Sequence, residues 1–409
     1  MSEIIRRLYL DRLKSGRDRT DVVKVITGMR RSGKTVLMRQ FIRELKDSGI
    51  PDDRVVYMNF ESRDWERVST YSDLLDYISS LGIEGRIYVF LDEIQRVQSW
   101  ERAVNSLQVD FDADVYITGS NAYLLSSDLS TYISGRYMEL RILPLSFSEF
   151  LELNPGEKDT RFMQYLRTGS LPIVDPDGDE TFEQDLLTGV FNTVLVKDIL
   201  EHTGSSDASV LLDVARFLYS NVGNVTSCNS IARTLREDNR QVRRYLDSMA
   251  DSFLIYKAER YDIRGKRLLD TLEKYYVSDT GMRNAVLGIS SREDISRLVE
   301  NVVYLELIRR GYEVAVGKYG DTEVDFTARR GNVVEYYQVT LSMISESTYN
   351  REIRPFELIR DSHPKTVLSM DRFLIDIPDG IRHVNVIDWL LDATSAASAD
   401  LGSQDHRSG

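Results

Sequence analysis

At 409 residues with 42% hydrophobic content, the chain is too long for one ordinary core, and two or three domains of about 100 to 200 residues each are expected. Its net charge of -13 argues against a surface that coats nucleic acid indiscriminately, because phosphate binding relies on concentrated Lys and Arg; any nucleic-acid contact must be local. The lone Cys228 excludes an intramolecular disulfide and a multi-cysteine zinc site, and four histidines leave little material for a histidine metal cluster.

The N-terminus mixes Arg6, Arg7, Asp11, Arg12 and Lys14 among its hydrophobics and so lacks a signal core. Apolar runs such as Ile87 to Leu91 fall far short of the roughly 20 residues that a membrane helix requires. No membrane association is expected, and a reducing cytoplasm fits. Val22 to Ile26 reads as a β-branched strand ending at Gly28, followed by a loop and a helix whose stripe is Leu37, Phe41 and Leu45. Alternation continues through a strand at Val55 to Phe60, a helix near Tyr71 to Ser79, a buried strand at Ile87 to Leu91, a helix from Trp100 and a strand at Val115 to Thr118. This predicts a parallel α/β sheet with crossover helices over residues 1–150.

A second region begins at Pro144, with a helix in the segment PLSFSEFLEL and an exposed loop at Asn154 to Asp159. Helical spacing from Thr181 to Asn221 is followed by a helix, a tight turn, a second helix and β-like segments, a winged-helix pattern; residues 151–285 are therefore expected to hold a helical linker and a winged helix. A last α/β unit, 286–392, begins with the helix Arg292 to Arg310 and continues through strands near Val314, Val324, Val334 and Val367. The tail 393–409, rich in Ala, Ser, Asp and Gly, has no periodic apolar face and is expected to be disordered.

Gly28-Met29-Arg30-Arg31-Ser32-Gly33-Lys34-Thr35 fits the pattern G-x-x-x-x-G-K-[ST] between a hydrophobic strand and an amphipathic helix. Glycines let the backbone wrap phosphates with its N–H groups, Lys34 reaches the outer phosphates, and the Thr35 hydroxyl ligates Mg²⁺. The cofactors expected are therefore ATP and Mg²⁺. Ile87 to Leu91 delivers Asp92 and Glu93 at a strand's C-terminal end, where open α/β sheets bind ligands. Asp92 would hold Mg²⁺ through its water shell, and Glu93 would polarise the attacking water. A third strand, if placed between these two, aims Ser120 or Asn121 at the γ-phosphate. Arg136 has two readings: an arginine finger or sensor, acting in cis or from a second copy of the chain in a homo-oligomer, or a surface arginine paired with an acid.

The phrases GMRRSGKT, FLDEIQRVQSWE, ITGSNAYLLS, SGRYMELRILPLSFSEF, YLRTGSLPI, KYYVSDTGMR, ENVVYLELIRRGYEV and TEVDF, in this order, resemble a prokaryotic family of AAA-type ATPases. In that family the ATPase module precedes a winged helix and a restriction-endonuclease-like C-terminal domain. The resemblance covers nearly the whole chain and implies an ASCE-type sheet with an extra strand between those bearing the Lys34 loop and Asp92.

In the winged-helix segment, Asn229 to Arg236 reads as a first helix and Arg240 to Phe253 as a second, whose apolar face is Val242, Tyr245, Leu246, Met249 and Phe253. Its other face offers Arg240, Arg243 and Arg244 to a major groove, with Lys266 at a wing tip near the phosphates. The competing reading is a packing or protein-contact module with solvated arginines. Glu300 on a helix, Asp325 on a strand and Gln338 with Thr340 on the next resemble the layout of a PD-(D/E)XK nuclease. That chemistry needs two acids for Mg²⁺ and a lysine beyond the second. Here Gln338 and Thr340 stand in those places, Gln338 keeping a carbonyl for a ligand, and a cleavage-inactive scaffold is expected. Two functions from different classes follow: a DNA-associated Mg-ATPase, or a slowly hydrolysing nucleotide switch gripping a protein partner. A metal-dependent nuclease fuelled by ATP is the third.

Overall fold

Runs of β-branched and aromatic residues bounded by turns build the sheet of the first unit, which spans Met1–Pro144 with Asp251–Phe253. It ends at Pro144, where the sequence pattern changes. The computed structural model describes residues 4–125, 135–201, 207–288, 292–373 and 376–392; the tail 393–409 lies outside them. After helix α1 (Arg7–Ser15) the unit alternates β1 (Val23–Thr27), α2 (Lys34–Asp47), β2 (Val55–Asn59), α3 (Tyr71–Ser80), β3 (Ile87–Asp92), α4 (Trp100–Asp110), β4 (Ala113–Gly119) and β5 (Tyr137–Arg141).

All five strands are parallel, in the order β2-β3-β4-β1-β5. β4 thus lies between the strand feeding the Lys34 loop and the strand ending in Asp92. Strand side chains alternate between faces, so Ile87, Val89 and Leu91 enter a core with Val23, Val25, Val115 and Ile117. Tyr88 and Phe90 enter the opposite core with Ile26, Leu37, Phe41 and Tyr116. Asp92 and Thr118 continue the second register and emerge on the face covered by α2. At the other end of the sheet the buried Lys24 donates to the Arg19 carbonyl over 2.7 Å and pairs with Asp114. The Asp114 carboxylate also accepts the Tyr116 hydroxyl and the Asp18 amide, so further hydrogen bonds support this buried ion pair.

The second unit, Leu145–Ala250 with Leu254–Gly409, begins with α5 (Phe147–Leu153), α6 (Lys158–Thr168) and α7 (Glu180–Thr193), which runs on into a π-helical turn (Val194–Leu200). The loop expected at Asn154 to Asp159 is shorter, because Glu157 caps α6: its carboxylate accepts the amides of Asp159 and Thr160 at 3.1 and 2.7 Å. Helices α8 (Ala208–Ser220), α9 (Cys228–Leu235) and α10 (Asn239–Asp251) follow, then an antiparallel hairpin of β6 (Ile255–Asp262) and β7 (Arg267–Val277). Next come α11 (Thr280–Leu287), α12 (Arg292–Arg309), β8 (Glu313–Tyr319), β9 (Thr322–Arg330), β10 (Val333–Val339), α13 (Glu346–Leu358), β11 (Lys365–Ser369), β12 (Ile381–Asn385) and α14 (Val386–Leu391).

One sheet, ordered β12-β11-β10-β9-β8-β6-β7, runs through this unit. β6 pairs in parallel with β8 through Arg260↔Val316, Tyr261↔Gly317 and Asp262↔Lys318. The hairpin after α10 is therefore continuous with the strands beyond residue 285, and the segment division expected there falls inside a hydrogen-bonded sheet. Among the described residues no helix is long and apolar enough to cross a membrane.

Candidate functional site

The loop between β1 and α2 has the backbone that phosphate binding needs. Gly28 has φ +144°, and a Cβ there would meet the Ile142 carbonyl oxygen at 2.3 Å. Gly33, at φ 99° and ψ 18°, caps α2 without a side-chain hydrogen bond. A helix N-terminus capped by glycine suits an anion, in register with the positive end of the helix dipole. Within the loop Arg31 also adopts a left-handed conformation at φ 66°, a conformation that costs free energy outside glycine and is concentrated at functional turns.

Lys34 is buried, and its ammonium donates to the carbonyls of Gly28 at 2.9 Å and Met29 at 3.2 Å while lying 3.8 Å from Glu93 Oε1. The Ser32 hydroxyl is buried and has no hydrogen-bond partner among the described residues. An orphaned hydroxyl inside a ring of backbone donors fits an oxygen-rich anion such as a triphosphate. Arg30 lies 3.8 Å from Glu61, while Met29 is buried under the loop as an apolar prop. Thr35, the second residue of α2, remains partly exposed, where its hydroxyl would meet Mg²⁺.

Asp92 is fully buried. Its Oδ1 accepts the Thr118 hydroxyl at 2.5 Å and its Oδ2 accepts the Tyr57 hydroxyl at 3.0 Å. Burial, then the Asp92 charge, pushes the Tyr57 phenol above its usual value, so it stays a donor to the carboxylate. Glu93 turns out of the strand at φ 56° and ψ 47°. Its amide donates to Thr118 Oγ1 at 2.9 Å, and its Oε2 accepts the Gln95 side-chain amide at 2.5 Å. Thr118, which sequence reasoning passed over, thus joins the Asp92 carboxylate to the Glu93 backbone. A polar residue directly after the run Val115-Tyr116-Ile117, at the strand's C-terminal end, was its signal. Ser120 is buried and Asn121 half-buried just beyond the end of β4, between β3 and β1. Arg136 is exposed immediately before β5, its carbonyl accepting the Val23 amide at 3.0 Å.

Arg6, also not singled out as a site residue, is 2% exposed and donates to the Ser32 carbonyl at 3.0 Å, to the Leu143 carbonyl at 2.9 Å and to the Pro144 carbonyl at 3.3 Å. One guanidinium thereby ties the phosphate loop to the segment after β5.

In the second unit, α9 and α10 are joined by a short turn, and Arg240, Arg243 and Arg244 are exposed on α10 while Val242, Tyr245, Leu246 and Met249 are buried. Lys266 is exposed in the turn between β6 and β7. Glu300, Asp325 and Gln338 converge on a pocket of about 720 Å³, which Thr340 does not line. Thr340 is instead buried, its amide donating to the Leu368 carbonyl at 3.0 Å. The Gln338 carbonyl oxygen, read from sequence as a remaining ligand, accepts the Asp325 amide at 2.6 Å, and its Nε2 donates to Glu352 at 3.0 Å. Burial, then the neighbouring Glu300 charge, raises the Asp325 carboxyl well above the carboxylate range. A residue absent from the sequence reading completes the cluster: Lys274, on β7, lies 3.1 Å from Glu300, 2.9 Å from Glu323 and 3.8 Å from Asp325. Among the described residues no group of three His, Cys, Asp or Glu side chains is disposed to hold a metal ion.

Comparison with known proteins places these sites in context. Residues 20–151 match a family profile described as an AAA domain, and residues 159–293 match a domain of unknown function, DUF8612. An uncharacterized protein of Haemophilus influenzae is 38% identical over 400 residues, which are 95% of this chain and 98% of that one. An uncharacterized protein of Methanocaldococcus jannaschii is 30% identical over 359 residues, covering 82% of this chain and 78% of the relative. Among solved structures, a DNA polymerase III gamma subunit-related protein of Thermotoga maritima is 13% identical with a TM-score of 0.29, over 73% of this chain and 84% of that one, a likeness too slight to carry an argument. With its P-loop geometry and two relatives matched over most of their length, the chain belongs to the family of AAA-domain proteins that these bacterial and archaeal relatives share.

Proposed function

We propose that this chain binds Mg-ATP on the loop 28–35 and hydrolyses it, coupling the cycle to its C-terminal half at DNA. The observation that carries the reading is the Thr118 hydroxyl joining Asp92 and the Glu93 amide beside an uncapped α2 N-terminus. When bound, Mg²⁺ would be held by Thr35 and, through water, Asp92, and would neutralise phosphate charge. Lys34 exchanges the Gly28 and Met29 carbonyls for phosphate oxygens. Glu93 accepts the proton of the attacking water. Ser120 and Asn121, beyond β4, sense the γ-phosphate, and Arg136 serves as the finger, in cis or from a neighbouring copy.

DNA association is supported by the basic face of Arg240, Arg243 and Arg244 on the second helix of a helix-turn-helix followed by a hairpin bearing Lys266, an arrangement that suits a winged helix. In an acidic chain this face is a local anchor for phosphates and base edges. The test is the steady-state ATPase rate with and without duplex or single-stranded DNA. Stimulation of several-fold, lost when Arg240, Arg243 and Arg244 are changed together to Ala, supports the reading. Indifference to every DNA tested replaces it with a nucleotide switch acting on a protein partner. Mixing Arg136→Ala with wild-type protein separates the two placements of the finger, because only a trans finger lets one subunit poison its neighbour.

A further inference from the structure

Lys274 lines the C-terminal pocket and meets Glu300 and Glu323, and it comes from a strand outside the nuclease-like motif. Strand alternation puts Lys274 and Tyr276 on the same side of β7, and both reach Glu300 Oε1: the ammonium at 3.1 Å and the phenol at 2.7 Å. The ammonium also touches Glu323 Oε1 at 2.9 Å and lies 3.8 Å from Asp325 Oδ1. Asp325 Oδ2 accepts the Val339 amide at 2.8 Å. Gln338, where a second metal-binding acid would stand, turns its carbonyl to the Asp325 backbone. The ammonium sits at hydrogen-bond distance from Glu300 and Glu323 and at ion-pair distance from Asp325, so these oxygens are turned toward a lysine.

We infer that Lys274 is the resident cation of this cluster, occupying by salt bridges the place in which a divalent metal would join Glu300 and Asp325. Mg²⁺ demands oxygen ligands at about 2.0–2.1 Å in an octahedron, and a buried ammonium among the same oxygens opposes a second cation by direct charge repulsion. The bridge also fastens the hairpin that follows α10 to helix α12 and strand β9. The pocket is thereby an ion-paired joint that does not cut phosphodiesters.

The experiment is a Mn²⁺ titration of the nucleotide-free full chain, followed by electron paramagnetic resonance, with thermal midpoints measured in parallel. Wild type is expected to show no Mn²⁺ site that Asp325→Asn removes, and no Mn²⁺-induced shift in its midpoint. Lys274→Met leaves the acids uncompensated; it is expected to gain about one Mn²⁺ per chain, to lose that site again with Asp325→Asn, and to rise in midpoint by several degrees on Mn²⁺ addition. A wild-type Mn²⁺ site, or Mn²⁺-dependent cutting of DNA or RNA, that Asp325→Asn abolishes overturns the inference. So does a folded Lys274→Met that gains no site. If Lys274→Met does not fold, the wild-type comparison with Asp325→Asn decides alone. None of these readouts depends on ATP turnover, so the result stands apart from the fate of the ATPase reading.

Discussion

The Thr118 hydroxyl donates to Asp92 Oδ1 across 2.5 Å while its oxygen accepts the Glu93 amide at 2.9 Å. A single side chain on the central strand thus fixes both the orientation of the Asp92 carboxylate, the proposed metal-side acid, and the left-handed turn that presents Glu93, the proposed base. Thr118→Val keeps the shape and removes both bonds. Turnover is expected to fall about 10- to 100-fold, the range seen when an oriented ligand loses its supporting hydrogen bond, with nucleotide affinity much less affected. Thr118→Ser should recover most of the loss. Single-turnover hydrolysis alongside fluorescent-nucleotide binding checks this, and wild-type turnover in the valine variant would remove Thr118 from the site.

Glu93 and Lys34 are predicted to fail differently. Glu93→Gln preserves size and the hydrogen bond from Gln95 but not the basicity, so ATP should bind normally and turn over about 10²- to 10⁴-fold more slowly. Lys34→Ala removes the cation proposed to meet the outer phosphates and should weaken binding itself. Equilibrium binding and turnover measured on both variants separate the roles; normal hydrolysis by Glu93→Gln would move the base to another residue.

What is contiguous in sequence was legible as structure. The loop 28–35 follows from its motif spacing, the apolar run ending in Asp92 and Glu93 from strand alternation, and the exposed arginines of α10 from helical periodicity. Arg6, Tyr57, Thr118 and Lys274 were not legible as partners, because each acts across a tertiary contact that no spacing encodes. Arg6 reaches Ser32 and Leu143 from 26 and 137 residues away, and Lys274 meets Glu300 across 26. The continuity of β6 with β8 was hidden for the same reason: helix, turn, helix and hairpin read as a self-contained module, whereas the edge that a hairpin offers is a ready template for a further strand.

Arg6 supports the phosphate loop from behind, and its removal should be costly. Hydrogen bonds from a charged donor contribute about 1.5–3 kcal/mol each, and Arg6→Met would leave the Ser32 and Leu143 carbonyls without that donor in a buried setting. A loss of about 1–3 kcal/mol in the stability of the first unit is expected from leaving buried carbonyls unsatisfied, together with weaker nucleotide binding as the Ser32 backbone is released. Arg6→Lys should rescue little, since one ammonium cannot reproduce the planar fork that spans the Ser32, Leu143 and Pro144 carbonyls. Urea unfolding of both variants with and without ATP measures the two effects, and an Arg6→Met chain as stable as wild type would show that the clamp is idle.

A pH signature belongs to the second unit. His383 Nε2 and Ser369 Oγ lie 2.8 Å apart, and burial lowers the imidazole below its ordinary value, outweighing the opposing pull of Asp371. A folded-state value below the unfolded one means that the native chain binds fewer protons over that interval. The stability this contributes is fully present above the unfolded imidazole value of about 6.5 and is lost as pH falls through the lower folded value. One pKa unit corresponds to about 1.4 kcal/mol, and partial exposure of this ring reduces its share. His383→Asn removes the titration while keeping a polar side chain that can meet Ser369. Its urea midpoint should therefore vary less than that of wild type between about pH 7 and pH 5, the two curves drawing together toward acid. If both proteins lose stability in parallel over that range, protonation of His383 does not oppose folding.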